Sequence, residues 1–129
     1  MTDLSEINVL VLEDSEQSMR DLTHKLTKWV LKKGIYEATN VEEASTIVNS
    51  VALDLALIDL SMPKRNGMDF LVSLHEGEQT QKIPVIVTTA VNPESILIPA
   101  VKELAMGVLF KPVNSNLLLD LIRSSIVHS

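Results

Sequence analysis

Charged and hydroxyl side chains follow four short apolar runs, and their types suit phosphoryl chemistry. Glu13 and Asp14 follow one such run, Thr88 and Thr89 end another, and Asp59 and Lys111 each follow a further one. If the runs are parallel strands, their carboxyl ends meet at one edge of a sheet, where open α/β sheets bind ligands. That edge would hold three carboxylates, a hydroxyl and an ammonium group.

Three carboxylates at one edge repel one another unless a cation lies between them. Two like charges 4 Å apart repel by about 4 kcal/mol at an effective dielectric constant of about 20. Carboxylates without histidine or cysteine favour a hard cation, for which Mg²⁺ is the usual choice. A carboxylate beside Mg²⁺ and an ammonium group can attack a phosphoryl group and become an acyl phosphate.

Five short runs rich in β-branched and apolar residues predict the strands that would carry these groups. Most of them are apolar throughout, which is typical of parallel strands covered by helices on both faces. The predicted strands are Ile7–Leu12, Ile35–Thr39, Leu55–Ile58, Pro84–Thr88 and Gly107–Phe110.

Helical patterns separate and follow the predicted strands. Each begins near a capping residue: Ser15, Asn40, Asn66, Asn92 and Asn114. The first is predicted to run to Lys32-Lys33, where Gly34 closes it, and the last to end at about Val127. Pro99 falls inside the fourth, where proline costs roughly 3 kcal/mol, so we expect that helix to be kinked or to start near Pro99.

The strict alternation of five strands and five helices predicts an α/β fold. Right-handed crossovers then give a doubly wound parallel sheet in a three-layer sandwich. The length of 129 residues suits one domain, residues 1–129, with no linker or internal repeat.

Composition excludes several classes of function. The chain has no cysteine, which rules out disulfides, thiolate metal sites and cysteine nucleophiles. A net charge of −6 without a basic run argues against direct binding of nucleic acid. The N-terminus lacks a signal peptide, and no apolar stretch is long enough for a membrane span, so we expect a cytoplasmic protein.

Four motifs make the sequence resemble the receiver domain of two-component response regulators, in particular the single-domain chemotaxis type. They occur in the order and at the spacing of that family. They are Val11-Leu-Glu-Asp14, Asp59-Leu-Ser-Met-Pro63 with Gly67, Thr89-Ala90, and Phe110-Lys-Pro112. The resemblance implies a flavodoxin-like sheet with strand order 2-1-3-4-5.

The resemblance also implies a role for each matching residue. Asp59 would be the phosphoacceptor, and Glu13 and Asp14 would position Mg²⁺ together with Asp59 and the backbone carbonyl of Ser61. Thr89 would be the hydroxyl that moves to the phosphoryl group; of the two adjacent threonines, only this one fits the motif.

Lys111 would contact the phosphoryl group, and the Lys111–Pro112 bond would be the family's cis peptide. The sequence departs from the pattern at Val108, where relatives usually carry the aromatic residue that turns inward with the threonine. Neither Ser61 nor Val91, at two positions that tune dephosphorylation in the family, carries an acidic or amide group, so we expect slow loss of the phosphoryl group.

The implied partners are a histidine kinase or histidine phosphotransfer protein and an unidentified downstream protein. The downstream contact would use the face formed by helix 4, strand 5 and helix 5. Apolar residues of helix 4 could also form a contact surface for a homodimer there. The chain would not be an enzyme, apart from intrinsic autophosphorylation or autodephosphorylation.

Two alternatives remain open at this point. One is a scaffold or docking domain that works without phosphorylation, although the intact set of acids, Thr89 and Lys111 argues against it. The other is a Mg²⁺-dependent phosphohydrolase that forms an aspartyl phosphate. Such enzymes need a second aspartate two residues after the nucleophile, where this chain has Ser61.

Overall fold

A computed structural model describes residues 3–61, 66–92, 94–95 and 97–127. Five strands form one parallel sheet in the order β2-β1-β3-β4-β5. The strands are β1 Val9–Leu12, β2 Ile35–Ala38, β3 Leu55–Asp59, β4 Val85–Thr89 and β5 Gly107–Phe110. The predicted fold class and strand order are confirmed, and each strand bound lies within two residues of its prediction.

Five α-helices connect the strands and follow the last one. They are α1 Glu16–Leu26, α2 Val41–Ser50, α3 Asn66–Glu76, α4 Leu97–Leu104 and α5 Ser115–Val127. None of the helices in the described ranges has the length and apolar character needed to cross a membrane.

The sheet is buried on both faces, as its continuous apolar strands predict. On one face, Val9, Val11, Leu55 and Leu57 pack against buried residues of α1 and α5. On the other face, Leu10, Leu12, Ala56 and Ile58 pack against residues of α2, α3 and α4. Alternate residues of each strand therefore belong to opposite cores, which fixes the face that each residue at a strand end occupies.

Capping residues set the helix starts that the sequence identified. Ser15 Oγ accepts a hydrogen bond from the Ser18 N–H at 3.2 Å, and Asn40 Oδ1 accepts one from Glu43 at 2.8 Å. Asn114 Oδ1 likewise accepts from the Leu117 N–H at 3.0 Å. These bonds satisfy N–H groups that the first turn leaves without intrahelical partners.

The predicted end of α1 is wrong. The helix ends at Leu26, and a short 3-10 turn, Lys32–Gly34, leads into β2. Beyond Leu26 the Thr27 hydroxyl donates to the His24 carbonyl at 2.7 Å, and the Leu31 N–H donates to the Ser5 carbonyl at 3.1 Å. Residues 27–30 still form turns that bond back to the end of α1, and at Leu31 the backbone leaves them to pair with the N-terminal segment.

The predicted start of α4 at Asn92 is also wrong, but the effect of Pro99 is as expected. Asn92 Oδ1 caps only a local turn by accepting from the Glu94 N–H at 2.9 Å. The helix begins at Leu97, which puts Pro99 in its first turn. There its missing N–H costs nothing, because no intrahelical acceptor exists for the first N–H groups.

Candidate functional site

The carboxyl edge of the sheet gathers the acidic residues that the sequence singled out. Glu13 and Asp14 follow β1, and Asp59 is the last residue of β3. Carboxylate oxygens of the three residues all lie within 4.8 Å of one another. Glu13 and Asp59 are each 1% exposed, whereas Asp14 faces solvent. The cluster thus has a buried floor and one accessible side.

Lys111 follows β5, an edge strand of the sheet, and its side chain reaches back to this cluster. Its Nζ lies 2.8 Å from Glu13 Oε2 and 3.3 Å from Asp59 Oδ2. The peptide bond between Lys111 and Pro112 is cis, as expected. A single ammonium group therefore faces two buried carboxylates, and it compensates only part of the negative charge of the cluster.

Burial, hydrogen bonds and neighbouring charges together shift the pKa values of Glu13 and Lys111. Loss of solvent raises the pKa of Glu13 to about 7; the hydrogen bond from Lys111 opposes this rise, and the neighbouring Asp59 adds to it. Burial alone would lower the pKa of Lys111, but the hydrogen bond to Glu13 and the charges of both carboxylates outweigh it and raise that pKa. The lysine is thus held in its charged form.

Backbone groups fix the orientation of the two buried acids. The Ser61 N–H donates to Asp59 Oδ1 at 2.9 Å, and the Ser15 N–H donates to Glu13 Oε1 at 3.2 Å. Gly67 lets the chain pass close to Asp59, because a Cβ at that position would overlap the Asp59 carbonyl oxygen. The first turn of α3 therefore packs directly against the end of β3, and a side chain at Gly67 would push the two apart.

The hydroxyl groups of Ser61 and Thr89 each accept a hydrogen bond from the loop after β4, which the motif alone did not indicate. Ser61 is exposed, and its Oγ accepts a hydrogen bond from the Ala90 N–H at 2.8 Å, which links the loop after β3 to the loop after β4. Thr89 is fully buried, and its hydroxyl oxygen accepts from the Val91 N–H at 3.1 Å. By the alternation of β4, Thr89 shares the face of Val85 and Val87, opposite to Asp59.

Thr88, which the motif did not select, occupies the face of the acidic cluster. It pairs in register with Asp59 and lines one cavity with Glu13 and Lys111. The signal that could have identified it is the strand alternation, since Thr88 lies two residues beyond the buried Ile86 of the α1 and α5 side.

Known proteins resemble this chain in sequence and in fold. A family model described as the response regulator receiver domain matches residues 9–123. PilH of Pseudomonas aeruginosa is 29% identical over 118 residues, with 90% of this chain and 94% of that protein covered. CpxR of Escherichia coli, named a transcriptional regulatory protein, is 32% identical over 125 residues, with 95% of this chain and 51% of that protein covered.

Another relative is named a probable cyclic di-GMP phosphodiesterase, from Vibrio cholerae. It is 31% identical over 120 residues, which cover 92% of this chain but only 26% of that protein. The chain thus spans about a quarter to a half of several of its curated relatives and nearly all of PilH.

Solved structures agree on the fold. The receiver domain of a DNA-binding response regulator from Colwellia psychrerythraea has a TM-score of 0.82 at 24% identity, with 96% of this chain and all of that chain covered. A receiver domain of a histidine kinase from Syntrophus aciditrophicus has a TM-score of 0.80 at 21% identity, with 95% of this chain and 91% of that chain covered.

The receiver domain is a signalling domain rather than an enzyme, and it receives a phosphoryl group from a histidine kinase. Receiver domains bind Mg²⁺ in an acidic pocket, and Glu13, Asp14 and Asp59 form an acidic cluster at the matching edge of this sheet. On the evidence of the family match over residues 9–123, the chain belongs to the response regulator receiver domain family of two-component signalling.

Proposed function

We propose that residues 1–129 act as one receiver domain in which Asp59 accepts a phosphoryl group from a histidine of a kinase or phosphotransfer protein. The observation that carries the proposal is a buried carboxylate at a strand end, oriented by the Ser61 N–H and 3.3 Å from an ammonium group. The N–H group orients such a carboxylate for nucleophilic attack, and the ammonium group compensates negative charge during the transfer.

The transfer forms one bond and breaks one. An oxygen of the Asp59 carboxylate attacks phosphorus, the bond from phosphorus to the imidazole nitrogen of the donor breaks, and that nitrogen keeps the electron pair. The product is an acyl phosphate on Asp59. Lys111 stays within reach of Asp59 and offers its positive charge to the added phosphoryl oxygens.

The acidic cluster suits Mg²⁺. The proposed ligands are the carboxylates of Glu13, Asp14 and Asp59 and the backbone carbonyl of Ser61, an all-oxygen set that hard cations prefer. Bound Mg²⁺ would neutralise charge on the phosphoryl oxygens and on the acids. The exposed side of Asp14 leaves the cluster accessible to a hydrated ion and to the donor.

A change at the loop after β4 would report the modification. We propose that the Thr89 hydroxyl leaves the Val91 N–H and turns towards the phosphoryl group, which reorganises the chain ahead of α4. Val108 is half-buried against the core on the α4 side and has no aromatic ring to follow that movement. The response is therefore carried by backbone and aliphatic packing.

The surface formed by α4, β5 and α5 is the proposed output face. Leu97 is 41% exposed, Met106 44% and Leu117 55%, and these apolar side chains suit a protein partner. The partner would be a downstream protein in the cytoplasm, and a second copy of this chain is one candidate. No direct contact with nucleic acid or membrane is proposed.

The test is phosphorylation with a small donor. The full chain is incubated with Mg²⁺ and acetyl phosphate, and the intact mass is measured for wild type and for Asp59→Asn. We expect an added phosphoryl mass that requires Mg²⁺ and vanishes in the variant. No adduct at saturating donor would instead favour a phosphorylation-independent scaffold.

A further inference from the structure

Thr88 carries a buried hydroxyl whose hydrogen-bonding capacity is unused. The residue is 1% exposed, and its Oγ1 has no hydrogen-bond partner among the residues that the structure describes. An unsatisfied buried hydroxyl reduces stability, whereas valine has nearly the same shape and avoids that cost. A buried hydroxyl without a protein partner is therefore a candidate for a functional contact.

The position of Thr88 relates it directly to the acidic cluster. In the parallel sheet its Cα pairs with that of Asp59 on β3 and with that of Leu109 on β5. Paired residues of adjacent strands lie on the same face, and Lys111 follows Leu109 by two residues. Asp59, Thr88 and Lys111 are therefore neighbours on the side covered by α1 and α5.

Lys111 must cross Thr88 to make its contacts. The lysine follows β5, but its Nζ lies 2.8 Å from Glu13 Oε2 beyond β1 and 3.3 Å from Asp59 Oδ2 on β3. Strand β4 lies between β5 and β3, so the side chain passes over the end of β4. The residue of β4 on that face is Thr88, which lines the same cavity as Glu13 and Lys111.

We propose that Thr88 is a positioning residue for Lys111 in phosphoryl transfer. An ammonium group has three N–H donors; one donates to Glu13 Oε2 at 2.8 Å, and a second faces Asp59 Oδ2 at an ion-pair distance of 3.3 Å. The Thr88 hydroxyl offers an acceptor for the third. It keeps the ammonium group over Asp59 when the Lys111 side chain loosens its bond to Glu13 to contact a phosphoryl oxygen. This inference rests on the proposed phosphorylation of Asp59.

The experiment compares Thr88→Val, which removes the hydroxyl at nearly constant shape, with Thr88→Ser, which keeps it. Three quantities are measured for each protein: the thermal midpoint without metal, the Lys111 Nζ signal by NMR, and the kinetics of acetyl phosphate transfer with Mg²⁺. We expect Thr88→Val to melt at or above the wild-type temperature. At saturating donor its transfer rate should nevertheless fall by about tenfold, the effect of one lost hydrogen bond to a charged group.

Thr88→Ser should keep a rate near that of wild type, and only Thr88→Val should shift the Lys111 Nζ signal. A merely structural role would change stability without this pattern. If Thr88→Val does not fold, Thr88→Ala against Thr88→Ser makes the same comparison with smaller side chains.

The outcomes separate two failures. If wild type takes no phosphoryl group at Asp59, the proposed function fails before Thr88 is tested. If wild type is phosphorylated and Thr88→Val reacts equally fast, or if Thr88→Ser is as slow as Thr88→Val, the role of the Thr88 hydroxyl is overturned.

Discussion

Neutralising Glu13 should change how stability depends on pH in the metal-free protein. The carboxyl is 1% exposed, and its burial raises its pKa from the ordinary 4.5 to about 7. The folded protein therefore binds this proton more tightly than the unfolded chain does. Glu13 stabilises the fold fully below about pH 4.5, and its contribution is lost as the pH rises towards about 7.

The size of the effect follows from the two pKa values. One unit of pKa corresponds to about 1.4 kcal/mol, so the interval from 4.5 to about 7 amounts to on the order of 3 kcal/mol. Glu13→Gln resembles the protonated acid in shape and never ionises. The free energy of unfolding of wild type relative to Glu13→Gln should therefore fall by that amount between pH 4.5 and pH 7.5.

Urea unfolding with a chelator, at several pH values, measures both proteins under the same conditions. The comparison cancels the titration of groups that the substitution leaves alone. A difference between wild type and Glu13→Gln that stays constant across this range would refute the reasoning that burial governs Glu13. Added Mg²⁺ should stabilise wild type more at pH 7.5 than at pH 5.5, because a metal ligand must lose its proton.

Two substitutions and one lifetime measurement test other parts of the site and the fold. Lys111→Met should keep the fold but slow phosphorylation of Asp59 at least tenfold, measured by acetyl phosphate kinetics, because the two buried acids lose their cation; a wild-type rate would contradict this. Gly67→Ala should reduce the free energy of unfolding by about 2 kcal/mol in urea titrations, since the added Cβ would overlap the Asp59 carbonyl oxygen, and an unchanged midpoint would show that the start of α3 shifts freely. The acyl phosphate should persist for minutes or longer in a timed decay by intact mass, because neither Ser61 nor Val91 carries an acid or amide to orient water; decay within seconds rejects this.

Sequence patterns predicted the fold well because the sheet is buried on both faces. Continuous apolar runs such as Leu55–Ile58 have few alternatives to a central parallel strand, and capping residues such as Asn40 fix helix starts locally. The C-terminal end of α1 and the start of α4 depend on distant or competing contacts. Leu31, for example, pairs with Ser5, a partner that no local pattern indicates.

The acidic cluster could be predicted from the strand ends, because topology alone brings the carboxyl ends together. The motifs did not indicate which face each side chain takes at that edge, although strand alternation carries that signal. The position of β4 in the register places Thr88, rather than Thr89, on the side of Asp59. The rise in the Glu13 pKa likewise depends on burial by parts of the fold that are distant in sequence, which motif spacing does not indicate.

The most direct test of the central claim is to map the phosphoryl group to a residue. Protein treated with Mg²⁺ and acetyl phosphate is reduced with borohydride to trap the acyl phosphate, digested, and analysed by mass spectrometry. We expect modification at Asp59 alone, with the neighbouring acids Glu13 and Asp14 unchanged. Modification at another acid, or none under conditions where the folded state is verified, would contradict the assignment of Asp59 as the phosphoacceptor.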